Sequence, residues 1–219
     1  MTDLVIFGAG DIARLAHFYF TSDSPYRVAG FAVDRAYRQG DTFEGLPIVD
    51  FEEVERRFPP SAHHLFVAVS YAKMNRIRAA KYAEAKQRGY TLASYVSSRA
   101  TVLTTHPVGD NCFILEDNTV QPFVRIGSDV TLWSGNHIGH DSTIGDHTFI
   151  ASHVVVSGHC TIGESCFIGV NATLRNAITI APRTVIGAGA VIMKDTRPGD
   201  VYIAGRTERF KKSSDEIEL

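Results

Sequence analysis

The C-terminal half of the chain repeats an aliphatic residue at every sixth position. Starting at Val102 and advancing by six, the sequence gives sixteen branched aliphatic residues: Val102, Val108, Ile114, Val120, Ile126, Leu132, Ile138, Ile144, Ile150, Val156, Ile162, Ile168, Leu174, Ile180, Ile186 and Ile192. An amphipathic helix would show apolar residues at a spacing near 3.6, and a half-buried strand would show them at every second residue. A strict period of six fits neither element, so it predicts short strands that are separated by corners.

Hexapeptide periodicity is typical of a parallel β-helix in which each hexad forms one face. The pattern resembles that of the hexapeptide-repeat acyltransferases, whose coil is left-handed, triangular and three hexads around. This resemblance implies that residues eighteen apart stack on neighbouring coils, at the ~4.8 Å spacing of adjacent strands. The fifth residue of a hexad is usually small and includes Cys112, Cys160 and Cys166. We therefore expect the three cysteines to be core residues rather than reactive thiols or a disulfide framework.

The composition excludes several classes of partner. The chain has 219 residues and a formal net charge of −2, with no long run of like charge, so it offers no basic surface for nucleic acid. The N-terminal MTDLVIF leads directly into a glycine turn without the regions of a signal peptide, and no apolar run has the length of a membrane span. We expect a cytoplasmic protein that does not enter a membrane.

The N-terminal third follows a different pattern, with apolar strands that alternate with helices. Gly8, Gly10 and Ala13 form a Gly-x-Gly-x-x-Ala turn between the first strand and helix, and Asp34 and Arg35 follow the second strand. Such a turn lets the backbone approach a phosphate at a helix N-terminus, and a carboxylate after the second strand can bind a ribose or base. The alternative is a tight turn without a ligand. About three strand–helix units are too few for the usual nicotinamide-binding fold.

The order of the two parts resembles one family of enzymes. A Rossmann-like α/β domain at residues 1–96, followed by a left-handed β-helix at 97–219, is similar to the sugar O- and N-acetyltransferases. These include the sialic acid O-acetyltransferases and the N-acetyltransferases that act on UDP- or GDP-linked 4-amino-deoxysugars. The resemblance implies a nucleotide-linked sugar bound by the first domain, acetyl-CoA bound along the β-helix, and a homotrimer with active sites between subunits. We expect no metal cofactor.

The family resemblance and the repeat geometry indicate the same catalytic residues. The family's histidine and following acidic residue match His140 and Asp141 of the segment GHDSTIG. His140 occupies the third position of its hexad, which points outward, and Gly158 lies eighteen residues later, where its missing side chain leaves room for a thioester. We expect His140 to act as the base, Asp141 to orient it and the Gly158 N–H to stabilise the oxyanion. Asn176 and Lys194 continue this column and are predicted to bind CoA.

Other side chains in the repeats allow alternatives. We expect His106, His147, His153 and His159 to be solvated or to lie in subunit contacts. Metal ligation by His137 and His140 is a second possibility, but the spacing marks no third ligand. His137 is instead expected to contact the sugar or a neighbouring subunit, and Trp133 is expected near the substrate or an interface.

The sequence predicts an acetyl-CoA-dependent N-acetyltransferase of a nucleotide-linked amino-deoxysugar. O-acetylation of a sugar hydroxyl would use the same active-site chemistry, and a nucleotide-sensing β-helical trimer without catalytic activity is an alternative of another class. Two departures from the family bear on the site. Asp141 stands where the amino-sugar enzymes often have Glu, and the usual Gly-x-Pro-Ala turn after the last coil is replaced at residues 205–208.

Overall fold

The N-terminal domain is a five-stranded sheet with helices packed against it. The computed structural model of the chain describes residues 1–209, 211 and 213–217. The elements of this domain are β1 (Thr2–Phe7), α1 (Asp11–Ser22), β2 (Tyr26–Val33), a 3₁₀ turn (Arg35–Tyr37), β3 (Thr42–Phe43), β4 (Leu46–Asp50), a second 3₁₀ turn (Phe51–Glu53), α2 (Val54–Arg57), β5 (His63–Val67) and α3 (Arg76–Gln87).

The strand order places the ends of three strands at one edge of this sheet. The order is β3-β4-β2-β1-β5, and β1 lies parallel to both β2 and β5. Because β2 and β5 flank β1 on opposite sides, a crevice opens at their carboxyl ends, where α/β sheets bind ligands. Of the three predicted strand–helix units, the strands are confirmed as β1, β2 and β5, and long helices follow the first and the third. The second strand is followed instead by the unpredicted antiparallel hairpin of β3 and β4 and by the single-turn helix α2.

The second domain is built from strands of two residues each. They are β6 (Tyr95–Val96), β7 (Thr101–Val102), β8 (Phe113–Ile114), β9 (Thr119–Val120), β10 (Arg125–Ile126), β11 (Thr131–Leu132), β12 (His137–Ile138), β13 (Thr143–Ile144), β14 (Phe149–Ile150), β15 (Val155–Val156), β16 (Thr161–Ile162), β17 (Phe167–Ile168), β18 (Thr173–Leu174), β19 (Thr179–Ile180), β20 (Val185–Ile186), β21 (Val191–Ile192) and β22 (Val201–Tyr202). A further 3₁₀ turn covers Ser214–Glu216.

These strands form the three faces of a left-handed parallel β-helix. Face 1 contains β6, β8, β11, β14, β17, β20 and β22, face 2 contains β7, β9, β12, β15, β18 and β21, and face 3 contains β10, β13, β16 and β19. His137 pairs with Val155, and Thr143 pairs with Thr161, so each coil contains eighteen residues. The predicted β-helix is thereby confirmed. Its first strand, β6, begins at Tyr95, beside the predicted domain boundary, while residues 210, 212, 218 and 219 of the predicted range lie outside the described residues.

The interior of the β-helix consists of the repeated aliphatic residues. Those from Ile114 to Ile192 are all buried, and Val102 and Val108 pack against the same core. Cys112, Cys160 and Cys166 are buried free thiols, and burial raises the pKa of each of them, to about 12 for Cys112. The cysteines therefore fill space in the core, as the hexad pattern predicts.

The corners of the β-helix require a left-handed backbone at one residue in six. The non-glycine residues with positive φ at these corners are Asn111, Asp117, Phe123, Asp129, Asp141, His147, His153, His159, Ser165, Asn171, Ala177 and Arg183. Asn, Asp and His are the side chains that most readily accept this conformation. The corner geometry thus accounts for several histidines of the repeats without any chemical role.

The two domains share part of one hydrophobic core. Phe20 and Phe66 of the N-terminal domain belong to the same buried cluster as Tyr95, Phe113 and Leu115 of the β-helix. The N-terminal domain therefore packs against the first strands of face 1. No helix in the described part of the chain is long and apolar enough to cross a membrane.

Candidate active site

His140 and Asp141 form a hydrogen-bonded pair at the corner between faces 2 and 3. The distance from His140 Nδ1 to Asp141 Oδ2 is 2.8 Å, and the two side chains are 51% and 43% exposed. A carboxylate can only accept a hydrogen bond, so Nδ1 carries the proton and Nε2 keeps its lone pair. This is the arrangement of a general base that is oriented by an acidic partner.

Gly158 lies directly against the imidazole of His140. A Cβ atom built on Gly158 would lie 2.7 Å from His140 Nε2 and 2.9 Å from Cε1, which is closer than side chains can approach. Among the described residues, no acceptor binds the Gly158 N–H. The basic nitrogen and a free backbone donor therefore meet at the surface, on neighbouring coils.

Two further residues contact His140 and were not predicted as site residues. Gln121 Oε1 accepts a hydrogen bond from the His140 N–H at 2.9 Å. The His159 ring packs edge-on against the His140 ring, with centroids 4.9 Å apart. Gln121 and His159 each lie nineteen residues from His140. They are the chain neighbours of residues 122 and 158, which stack on His140, so the eighteen-residue repeat could have indicated them.

Possible metal ligands also meet at this corner. His140, Asp141 and His159 offer nitrogen and oxygen atoms that all lie within 4.8 Å of one another. His137, the partner considered from the sequence, is instead half-buried on the outside of face 2. The hydrogen bond to Asp141 already occupies His140 Nδ1, so this atom does not bind a metal in the present arrangement. A protonated Nδ1 beside a carboxylate is the arrangement of an oriented base.

Asn176 and Lys194 lie together further along the same corner. They line a shallow depression of ≈ 320 Å³ with Arg175, Met193 and Asp195. A second depression, of ≈ 520 Å³, shares Lys194 and adds Arg197, Asp200 and Tyr202. Three cationic side chains, Arg175, Lys194 and Arg197, therefore line these two depressions, which lie further along the column of Gly158.

The glycine turn of the N-terminal domain opens into a cleft of ≈ 640 Å³. Its lining comes from the ends of β1, β2 and β5, the start of α1 and the neighbouring β-helix, and includes Gly8, Gly10, Asp34, Tyr37, Tyr71 and Trp133. Gly8 has φ +132°, and a Cβ there would lie 2.7 Å from the Ala68 carbonyl oxygen, so only glycine fits. Gly10 precedes the first residue of α1 and has open space around it. The cleft brings together Gly8, Gly10 and Asp34, three of the residues predicted to bind the nucleotide.

The two charged residues after β2 differ in their positions. Asp34 lines the cleft and forms an ion pair with Lys81 of α3. Arg35 is not among the lining residues, because the 3₁₀ turn directs its side chain back to Asp50 and Glu53, at 2.8 Å and 3.3 Å. Its hydrogen bond is the main reason that the pKa of Asp50 is lowered. The predicted contact between Arg35 and a nucleotide is therefore not supported by this arrangement.

The cleft and His140 lie on different sides of the β-helix. Trp133, on face 1, borders the cleft, whereas His140 follows β12 at the edge between faces 2 and 3. In a three-sided prism this edge is opposite face 1. A single chain therefore does not place its own base beside its own cleft.

Comparisons with known proteins identify the repeats and the fold. Residues 123–158 and 159–194 match the family described as bacterial transferase hexapeptide (six repeats). A comparison with curated proteins found no match. The acetyltransferase domain of PglB from Neisseria gonorrhoeae has a similar structure, with 24% sequence identity, a TM-score of 0.80 and coverage of 92% of this chain and 96% of that one.

Two further solved structures are similar over nearly their whole lengths. PerB from Caulobacter crescentus, in complex with CoA and GDP-perosamine, has 22% identity, a TM-score of 0.81 and coverage of 92% of this chain and 93% of that one. WeeI from Acinetobacter baumannii has 17% identity, a TM-score of 0.77 and coverage of 92% and 96%. The predicted resemblance is thus confirmed: residues 123–194 match the hexapeptide-repeat model, and the chain has the two-domain fold of these structures.

Proposed function

We propose that the protein is an acetyl-CoA-dependent N-acetyltransferase whose acceptor is a nucleotide-linked amino-deoxysugar. The contact of His140 with Asp141 on one side and Gly158 on the other is the observation that carries this proposal. It combines an imidazole base with a backbone amide that has no acceptor among the described residues, at one exposed corner. The similar structures of the PglB domain with acetyl coenzyme A and of PerB with CoA and GDP-perosamine support this choice of substrates.

The arrangement supports direct transfer without an acyl-enzyme. The amine nitrogen attacks the thioester carbonyl carbon while His140 Nε2 takes up the proton that the nitrogen loses. The Gly158 N–H donates to the oxyanion of the tetrahedral intermediate, and Asp141 stabilises the imidazolium. The C–S bond then breaks, and the proton on His140 neutralises the departing CoA thiolate. The groove at Asn176 and Lys194 would hold the CoA chain on the same corner.

The separation of the cleft from His140 supports active sites between subunits. Face 2 borders the His140 corner and exposes four apolar side chains, namely Leu103, Val155, Val191 and Met193. Burial of this face against another copy would remove them from water. A closed homotrimer would then place the base of one subunit beside the cleft of the next.

A complementation experiment tests both the chemistry and the assembly. His140→Ala removes the base, whereas Gly10→Phe fills the cleft from a position with open space around it. Each variant alone should lack acetyl transfer, and trimers that are reassembled from a mixture should regain part of the activity. Thiol release from acetyl-CoA with UDP- and GDP-linked amino sugars measures the reaction. Full activity of His140→Ala, or ping-pong kinetics, would contradict the mechanism.

The same assay separates the alternatives. Sugar O-acetylation would use the same three residues. Mass spectrometry of the product before and after treatment with mild base distinguishes the two reactions, because base removes the acetyl group of an ester and leaves that of an amide. A nucleotide-sensing trimer without catalysis would bind nucleotide and release no thiol with any acceptor.

A further inference from the structure

The segment that connects β5 to α3 has an unusual backbone. Lys73, Met74 and Asn75 have φ values of 51°, 57° and 61°, so three successive residues with side chains adopt the left-handed conformation. This conformation is unfavourable for Lys73 and Met74, and it persists only where surrounding contacts hold it. Together with the first turn of α3, this connection forms a segment, residues 70–78, that supplies Ser70, Tyr71 and Ile77 to the wall of the cleft. We refer to it as the strap.

Two buried polar side chains anchor the strap to the β-helix. Asn75 is fully buried and donates its Nδ2–H to the Cys166 carbonyl oxygen at 3.1 Å. Arg78 is 2% exposed and donates from Nε to Asp129 Oδ1 at 3.1 Å. Its Nη2 donates to the carbonyl oxygens of Asp129 and His147 at 3.0 Å and 2.9 Å. Every donor belongs to the strap, and every acceptor belongs to the β-helix.

The acceptor for Arg78 is itself held rigidly. Asp129 is fully buried, accepts a hydrogen bond from Asn111 Nδ2 at 2.7 Å and pairs with His147 Nδ1 at 2.8 Å. A buried ion pair with several hydrogen bonds has one favourable geometry, and the loss of one partner leaves an uncompensated charge. This network therefore fixes the position of the strap rather than merely attaching it.

The result is a defined position for the Tyr71 ring. Its centroid lies 4.7 Å from that of Phe167 and 5.0 Å from that of Phe149, while the residue remains 50% exposed. Tyr71 lines the nucleotide cleft and also an apolar groove of ≈ 360 Å³ on the β-helix. Ile12 and Trp133 line both as well. The cleft and the groove are thus one continuous depression that crosses the domain boundary at Tyr71.

We infer that Asn75 and Arg78 are positioning residues for the acceptor, acting through Tyr71. By holding that ring on the β-helix they keep the cleft and the groove aligned, so that the nucleotide occupies the cleft and the apolar ring positions of a deoxysugar pack on the aromatic wall. This inference rests on the proposed function, because it concerns the acceptor of that reaction. Neither residue lines the cleft or the groove.

The substitution Asn75→Gly isolates the anchor. Glycine accepts the left-handed backbone of residue 75, so the change removes the bond to Cys166 without new strain. The Michaelis constant for the nucleotide sugar should rise about fivefold to tenfold, on the order expected for one buried hydrogen bond, while that for acetyl-CoA should change less than about twofold. Arg78→Lys keeps the positive charge but loses the planar guanidinium that donates from both Nε and Nη2, so it should also raise the Michaelis constant for the nucleotide sugar. Tyr90→Phe, which removes a hydrogen bond to the Phe58 carbonyl oxygen in the same domain, should leave both constants unchanged.

A binding measurement makes the test independent of catalysis. Trp133 is the only tryptophan and borders the cleft, so its fluorescence reports occupancy when UDP, GDP, dTDP or CMP is titrated. The dissociation constant should be weaker in folded Asn75→Gly than in wild type. Equal constants, a parallel rise for acetyl-CoA, or a wild type that binds no nucleotide would overturn the inference. Nucleotide binding without acetyl transfer would overturn the proposed function alone.

Discussion

Gly158 contacts the imidazole of His140 although eighteen residues separate them in the sequence: a Cβ at Gly158 would lie 2.7 Å from His140 Nε2. One coil of the β-helix therefore brings a basic nitrogen against a residue that has no side chain. Any substituent at residue 158 must displace the ring, occupy the space for the thioester, or both. The contact makes this glycine a requirement of the site rather than of the coil.

Gly158→Ala should lower kcat by about 100-fold, the lower limit for loss of an oxyanion donor, since the methyl group displaces His140 and obstructs the amide. Thiol release under saturating substrates measures the effect. Glu164→Ala, at the same hexad position of the next corner, should keep its activity and its melting temperature. A kcat within twofold of wild type in Gly158→Ala would contradict the assigned contact.

Asp141→Asn tests the acidic partner with little change in shape. Asparagine accepts the left-handed backbone that residue 141 adopts at φ 57°, so the corner should fold normally. The amide can still accept the Nδ1–H but does not neutralise the imidazolium, so kcat should fall by roughly 10–100-fold with little change in either Michaelis constant. His140→Asn should cost at least as much. Equal activity of Asp141→Asn and wild type would remove Asp141 from the mechanism.

The sixfold aliphatic spacing was sufficient to predict the β-helix because the side chain at each of these positions packs into its interior. The same counting located Gly158 beside His140. It could not locate Arg78 beside Asp129, because that contact depends on how the two domains pack and no sequence period relates residues of different domains. Arg35 was misplaced for a local reason: the turn after Asp34 and the unpredicted β4 supply Asp50 as a closer partner. Gln121 and His159 lay within reach of the same repeat arithmetic.

The apolar side chains of face 2 allow a matched test of assembly. Val191 on face 2 and Val201 on face 1 are both first residues of their strands and are 61% and 62% exposed. If face 2 is the subunit interface, Val191→Glu should dissociate the trimer and abolish activity, because a buried unpaired carboxylate is strongly unfavourable. Val201→Glu should remain trimeric. Sedimentation velocity measures the assembly, and thiol release measures the activity of the same samples. A trimeric Val191→Glu together with a dissociated Val201→Glu would place the interface elsewhere.

Asp23 links the N-terminal domain to the first strand of the β-helix, and this link should depend on pH. Its carboxylate accepts hydrogen bonds from the Ser98 N–H at 2.9 Å and the Tyr95 hydroxyl at 2.7 Å, and the Ser98 bond is the main reason that the pKa of Asp23 lies below 3.8. A lowered folded pKa means that the stabilisation is complete above the unfolded value and is lost as the pH falls through the folded value. Asp23→Asn should therefore unfold at lower urea concentration than wild type at pH 7, and the difference should shrink below about pH 3.8. A difference that stays constant between pH 7 and pH 3 would show that the charge of Asp23 does not stabilise the domain junction.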